Sequence, residues 1–104
     1  MLKVNVLIKN ELIQQVDILG HAGYADYGKD IVCAAASSIV TTTINATLTF
    51  GKDYITYNQK KDKFSIKIIK HNDITNNLFN NMINMLNELM KDYPNNIEIK
   101  EENS

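Results

Sequence analysis

The chain has one cysteine, one proline, four glycines and no arginine in 104 residues. A single cysteine, Cys33, excludes an intrachain disulfide, so the fold must rest on its core. Without arginine, eleven lysines face twelve acidic residues and the net charge is −1. That balance gives no electrostatic case for nucleic acid or an anionic membrane as a partner. Histidine is nearly absent too, with only His21 and His71. Two histidines and one cysteine are too few for a structural zinc site, and no metal or other cofactor is expected. Gly20, Gly23 and Gly28 match neither a dinucleotide fingerprint nor a P-loop. The N-terminus alternates instead of joining a basic head to an apolar run, so no signal peptide is expected and the cytoplasm is the expected location. Charge is missing altogether from Ile31 to Gly51. That run holds Ser37, Ser38, Thr41, Thr42, Thr43, Asn45, Thr47 and Thr49, and is too polar for a simple lipid-facing span.

What remains is an ordinary globular balance, 44% hydrophobic and 22% charged. It suits one small domain over residues 1–104. Residues 2–9 alternate, with Leu2, Val4, Val6 and Ile8 on one face, as a half-buried strand does. Asn10-Glu11 reads as a two-residue turn and 12–19 as the returning strand. Residues 31–50 carry mixed signals. Thr41-Thr42-Thr43-Ile44 favours a strand by propensity, but the length, Asp30 before and Gly51 after favour a helix. Small or apolar residues on all sides predict a helix buried all round. A second hairpin is expected over 53–59 and 63–69, turning at Gln59-Lys60-Lys61-Asp62. Residues 74–93 have a clear helical period, with Leu78, Met82, Met85, Leu86, Leu89 and Tyr93 as the apolar stripe. Pro94 ends that helix. Residues 96–100 read as a short last strand, and 101–104 as a frayed tail. The order ββαββαβ predicts an α+β domain: two helices packed on a five-stranded, largely antiparallel sheet.

The chemistry concentrates between Gly20 and Ser38. Asp30 is placed to cap the helix and Cys33 falls in its first turn, where unpaired backbone N–H groups carry partial positive charge. A thiol there ionises more readily, and the thiolate is the nucleophile. His21, after the turn residue Gly20, is close enough in sequence to serve as its base. The backbone N–H groups at the helix start would hold an oxyanion. Between lies a loop with Gly23, Tyr24, Tyr27 and Gly28. Two aromatics beside hinging glycines suit a substrate lid, and equally suit rings tucked onto the core edge. Cys33 also has a plainer reading, since a cysteine before three alanines is commonly a small buried apolar residue. Asp30 reads first as a cap and second as a catalytic acid, two roles that a carboxylate with two oxygens can share.

Gly20-His21-Ala22, the eleven-residue gap, and Gly28-Lys29-Asp30-Ile31-Val32-Cys33-Ala34-Ala35 with serines at 37 and 38 resemble the ribosomal-processing cysteine protease family, Prp. The resemblance runs along nearly the whole chain in size and element order. It implies a cysteine endopeptidase with His21 and Cys33 as dyad and Asp30 as accessory. It further implies a substrate, the N-terminal extension of bacterial large-subunit ribosomal protein twenty-seven, cut after paired phenylalanines, and a homodimeric enzyme. Two other classes fit the residues alone. One is a non-catalytic ribosome-associated or dimeric interaction module with Cys33 inert. The other is a thiol acyltransferase or amidase acting on a small molecule.

Overall fold

The structure is a computed structural model and describes residues 1–26 and 30–104. The elements run β1 (Leu2–Lys9), β2 (Leu12–Leu19), α1 (Ile31–Phe50), β3 (Ile55–Lys60), β4 (Lys63–Ile68), α2 (Asp73–Asp92) and β5 (Ile97–Asn103). The five strands form one sheet in the order β3-β4-β2-β1-β5. Three neighbouring pairs are antiparallel, and β1 with β5 is parallel. The predicted order and α+β class hold, with the sheet mixed at one edge.

The alternation of β1 sets the layers. Leu2, Val4 and Val6 are buried, while Lys3, Asn5 and Lys9 are exposed. In register with them, Val16 faces Val6 and Ile18 faces Val4. Ile66 then faces Val16, and Ile97 faces Leu2 across the parallel pair. The two helices cover this apolar face, and Phe79, Met82 and Leu86 of α2 are fully buried. The opposite sheet face is polar, as alternation requires of a sheet covered on one side.

Helix α1 resolves its mixed signals through its hydroxyls. Thr43 Oγ1 donates to the Ile39 carbonyl at 2.9 Å and Thr47 Oγ1 to the Thr43 carbonyl at 2.8 Å. Each buried hydroxyl thus finds a partner inside its own helix, which removes the cost of burying it. By length and composition α1 could cross a membrane. Here Val32, Ala36, Val40 and Ile44 join the common core. Gly51 closes the helix for a different reason from the usual left-handed one. Its φ is 177°, an extended value, and a side chain there would run into the Tyr54 ring.

Four expectations are corrected. Helix α1 is not buried all round: Ile31, Ala34, Ser38, Thr42, Asn45 and Thr49 are exposed along one side. Small neutral side chains tolerate either setting, so their periodicity carried little information. Met85 is exposed and leaves the apolar stripe of α2. The tail does not fray, because β5 runs on to Asn103, pairing Glu101 with Val6, Glu102 with Leu7 and Asn103 with Ile8. The second turn is also tighter than expected, only Lys61-Asp62 between β3 and β4.

Candidate active site

The site is built where β2 ends beside the start of α1. Gly20 has φ +79°, and a Cβ there would lie 2.7 Å from the Met1 carbonyl oxygen. Glycine is therefore required twice over, for the left-handed turn and for the close approach to the start of the chain. The turn delivers His21 to the surface, where it is exposed, and then Ala22 into the core. Cys33, half-buried in the first turn of α1, meets this segment directly. The Ala22 N–H donates to Cys33 Sγ at 3.2 Å.

Asp30 caps α1 as its residue type predicts. Its Oδ1 accepts from the N–H groups of Val32 and Cys33, both at 3.0 Å. Its Oδ2 accepts from the Tyr24 N–H at 3.1 Å, so the same carboxylate ties the loop to the helix. The Cys33 N–H, foremost, holds the Asp30 carboxyl below its ordinary value. The Tyr24 and Val32 amides and the Cys33 thiol act in the same direction, against the opposing effect of partial burial. The Ala34 N–H bonds to the Asp30 carbonyl. The amides of Val32 and Cys33, expected to be open for an oxyanion, are thus already engaged by the cap.

His21 and Cys33 line the same cavity of about 460 Å³. Leu2, Val4, Ile18 and Phe64 of the sheet give it an apolar lining, α1 contributes Ala36, Ser37, Val40 and Thr41, and Gln59, Lys61, Asp62 and Lys63 come from the β3–β4 turn region. A second open cavity, of about 470 Å³, also includes His21, Cys33 and Ser37, and adds Gly23, Ala25, Asp30 and Ala34. The pair thus sits between two recesses, one with a sheet lining and one at the loop.

The structure brings together His21, Cys33, Asp30, Gly20 and Gly23, the last at φ +69°. Tyr24 is placed differently from a wall of the sheet-lined cavity. Its ring lies edge-on against Tyr93 at the end of α2, centroids 5.4 Å apart, and it lines neither cavity. Tyr27 and Gly28, the other loop residues singled out, lie outside the described residues. Among the described residues, no group of three or more His, Cys, Asp or Glu is poised to hold a metal. Sequence reasoning missed Phe64 and Lys63, which reach the cavity through the register of β4 with β2. It also missed Asn96, whose Nδ2 donates to the Ala22 carbonyl at 3.1 Å from the far end of the chain. No local motif marks any of them.

Comparison with known proteins comes to the same place. The family model described as cysteine protease Prp matches residues 1–98. A ribosomal processing cysteine protease Prp of Staphylococcus aureus is 30% identical over 103 residues, covering 95% of this chain and 97% of its own. One of Mycoplasma genitalium is 33% identical over 104 residues, covering 98% and 97%. Among solved structures, a ribosomal processing protease Prp of S. aureus with a covalently linked product peptide superposes with a TM-score of 0.92. It shares 26% identity and the match covers 98% of this chain and all of that one.

Proposed function

The chain belongs to the cysteine protease Prp family and is a peptide hydrolase, and from that premise we propose that His21 and Cys33 are its catalytic dyad. The substrate we assign is the N-terminal extension of bacterial ribosomal protein twenty-seven, cut after two phenylalanines in the cytoplasm. The observation that carries this reading is the shared cavity: His21 and Cys33 line one recess whose sheet lining is apolar. The covalently linked product peptide in the S. aureus relative supports it from outside.

In this reading His21 takes the Cys33 proton and the sulfur attacks the scissile carbonyl. Protonated His21 then gives its proton to the leaving amine, and water releases the acyl-enzyme. The Ala22 N–H is already at the reacting sulfur, and it is the backbone donor we assign to the oxyanion that forms beside it. An aromatic pair suits the lining of Leu2, Val4, Ile18 and Phe64, since each ring carries a large apolar area. Gly23 and Ala25 of the loop line the second recess, which supports the loop as the other substrate-binding wall. We further propose a homodimer, a reading supported by the uncharged exposed side of α1.

The test is cleavage of the precursor extension, followed by intact mass. The peptide with both phenylalanines changed to alanine should be cut about a hundredfold more slowly, from the roughly 3 kcal/mol that a packed ring contributes. Cys33→Ala and His21→Ala should cut neither peptide. Equal cleavage of the two peptides by wild type would refute the substrate, and cleavage by Cys33→Ala would refute the dyad.

A further inference from the structure

Ala22 is fixed at both of its backbone groups by side chains distant in sequence. Its N–H donates to Cys33 Sγ at 3.2 Å, and its carbonyl accepts from Asn96 Nδ2 at 3.1 Å. Asn96 is itself immobilised. Its backbone N–H donates to the Tyr93 carbonyl at 3.0 Å, and its carbonyl accepts from the Leu2 N–H at 2.9 Å. The side-chain amide therefore projects from a corner held by α2 on one side and by the start of β1 on the other. The same corner grips the loop a second time, where the Tyr93 ring meets Tyr24 edge-on. The segment it grips needs holding, because Gly20 and Gly23 at positive φ leave it little regular structure of its own.

We propose that Asn96 is a positioning residue for Cys33: by holding the Ala22 carbonyl it keeps the Ala22 N–H on the sulfur. The reading rests on Cys33 as the nucleophile. A carbonyl needs a donor, so an amide serves at position 96 and a carboxylate does not. A hydrogen bond donated to sulfur favours the charged thiolate over the thiol. Loosening Ala22 thus acts on the reactivity of Cys33 although Asn96 itself does not touch the sulfur.

The experiment compares iodoacetamide alkylation of Cys33 across pH in wild type, Asn96→Ala, Asn96→Asp and Asn95→Ala. Asn95 is the exposed neighbour and serves as control. Among the described residues, the charged or titrating groups lining the two recesses at the sulfur are His21 and Asp30 at the loop, and Lys61, Asp62 and Lys63 of the β3–β4 turn region. None of these is altered. Asn96→Ala adds no charge, so agreement between it and Asn96→Asp excludes a charge effect. Both should alkylate about tenfold more slowly at neutral pH, the worth of one hydrogen bond to a charged acceptor. Their profiles should move to higher pH, and kcat for the precursor peptide should fall while KM holds. A purely structural role would lower Tm and leave the profile in place, and superimposed profiles in folded variants overturn the proposal. If both variants fail to fold, the Ala22 amide of wild type decides by hydrogen exchange: protection supports the clamp and unprotected exchange overturns it. Cleavage by Cys33→Ala would remove the nucleophile reading alone, leaving the alkylation and exchange results to judge the clamp.

Discussion

Asp30 does two jobs with two oxygens. Oδ1 caps α1 and Oδ2 holds the Tyr24 amide. Substitutions can separate the two. Asparagine is also a good cap, but its NH₂ cannot accept from Tyr24. Asp30→Asn should therefore keep most of the stability and lose the loop tie, cutting slowly while melting near wild type. Asp30→Ala should lose both and melt several degrees lower. The pH dependence follows from the lowered carboxyl of the folded state. Its contribution is fully present above the unfolded value of about 3.9. It is lost as pH falls through the lowered folded value, where the carboxyl protonates in both states. Thermal melts of wild type and Asp30→Ala at pH 7 and in acid check this. Their difference should shrink in acid, and a constant difference would show that the charge of Asp30 contributes nothing.

At the scale of elements, the β1–β2 turn is the clearest case of a sequence settling for less than its geometry prefers. Asn10 and Glu11 both have positive φ, 53° and 66°, the geometry of a tight hairpin turn of the primed type. Asparagine tolerates that region and glutamate does not. Glu11→Gly should stabilise the protein by about 1 kcal/mol with cleavage unchanged, measured by urea unfolding. The hairpin itself was readable from the alternation of Leu2, Val4 and Val6. Helix α1 was readable from Asp30 and Gly51 at its ends, despite Thr41–Thr43. Its exposed side was not, because alanine, serine and threonine do not declare which way they face. Strand β5 beyond Lys100 was hidden for another reason. Glu101 and Glu102 are exposed on an edge strand and show no apolar alternation, and their partner β1 is the first strand of the chain. In the site, the nearness of His21, Asp30 and Cys33 was legible, because a turn residue at Gly20, a cap at Asp30 and the first turn of α1 fix their places, and all three line one recess. The Ala22 amide was not, since every residue but proline has one, and Asn96 lies 74 positions away from it.

For the whole molecule, the homodimer proposed above would form on the outward side of α1. Ile31, Ala34, Ser38, Thr42, Asn45 and Thr49 are exposed and none is charged, in a chain where 22% of residues are. A helix face that meets water normally carries lysine and glutamate. Ile31 is 53% exposed and Phe50, at the other end of the same helix, 54%. A second copy covering this side would meet it through a two-fold axis, so each residue near the axis would approach its own counterpart. A charge introduced there appears twice, with the same sign, in a surface being drawn out of water. The chain should therefore sediment at twice its 11.8 kDa mass. Thr42→Lys with Asn45→Lys should sediment as a folded monomer, since both positions are exposed in the single chain and neither lines the recesses at Cys33. Circular dichroism establishes that the variant is folded. Wild type remaining monomeric at roughly 100 μM, where a specific interface of standard size is well populated, would sink the dimer. A variant that stays dimeric would place the interface elsewhere than on α1.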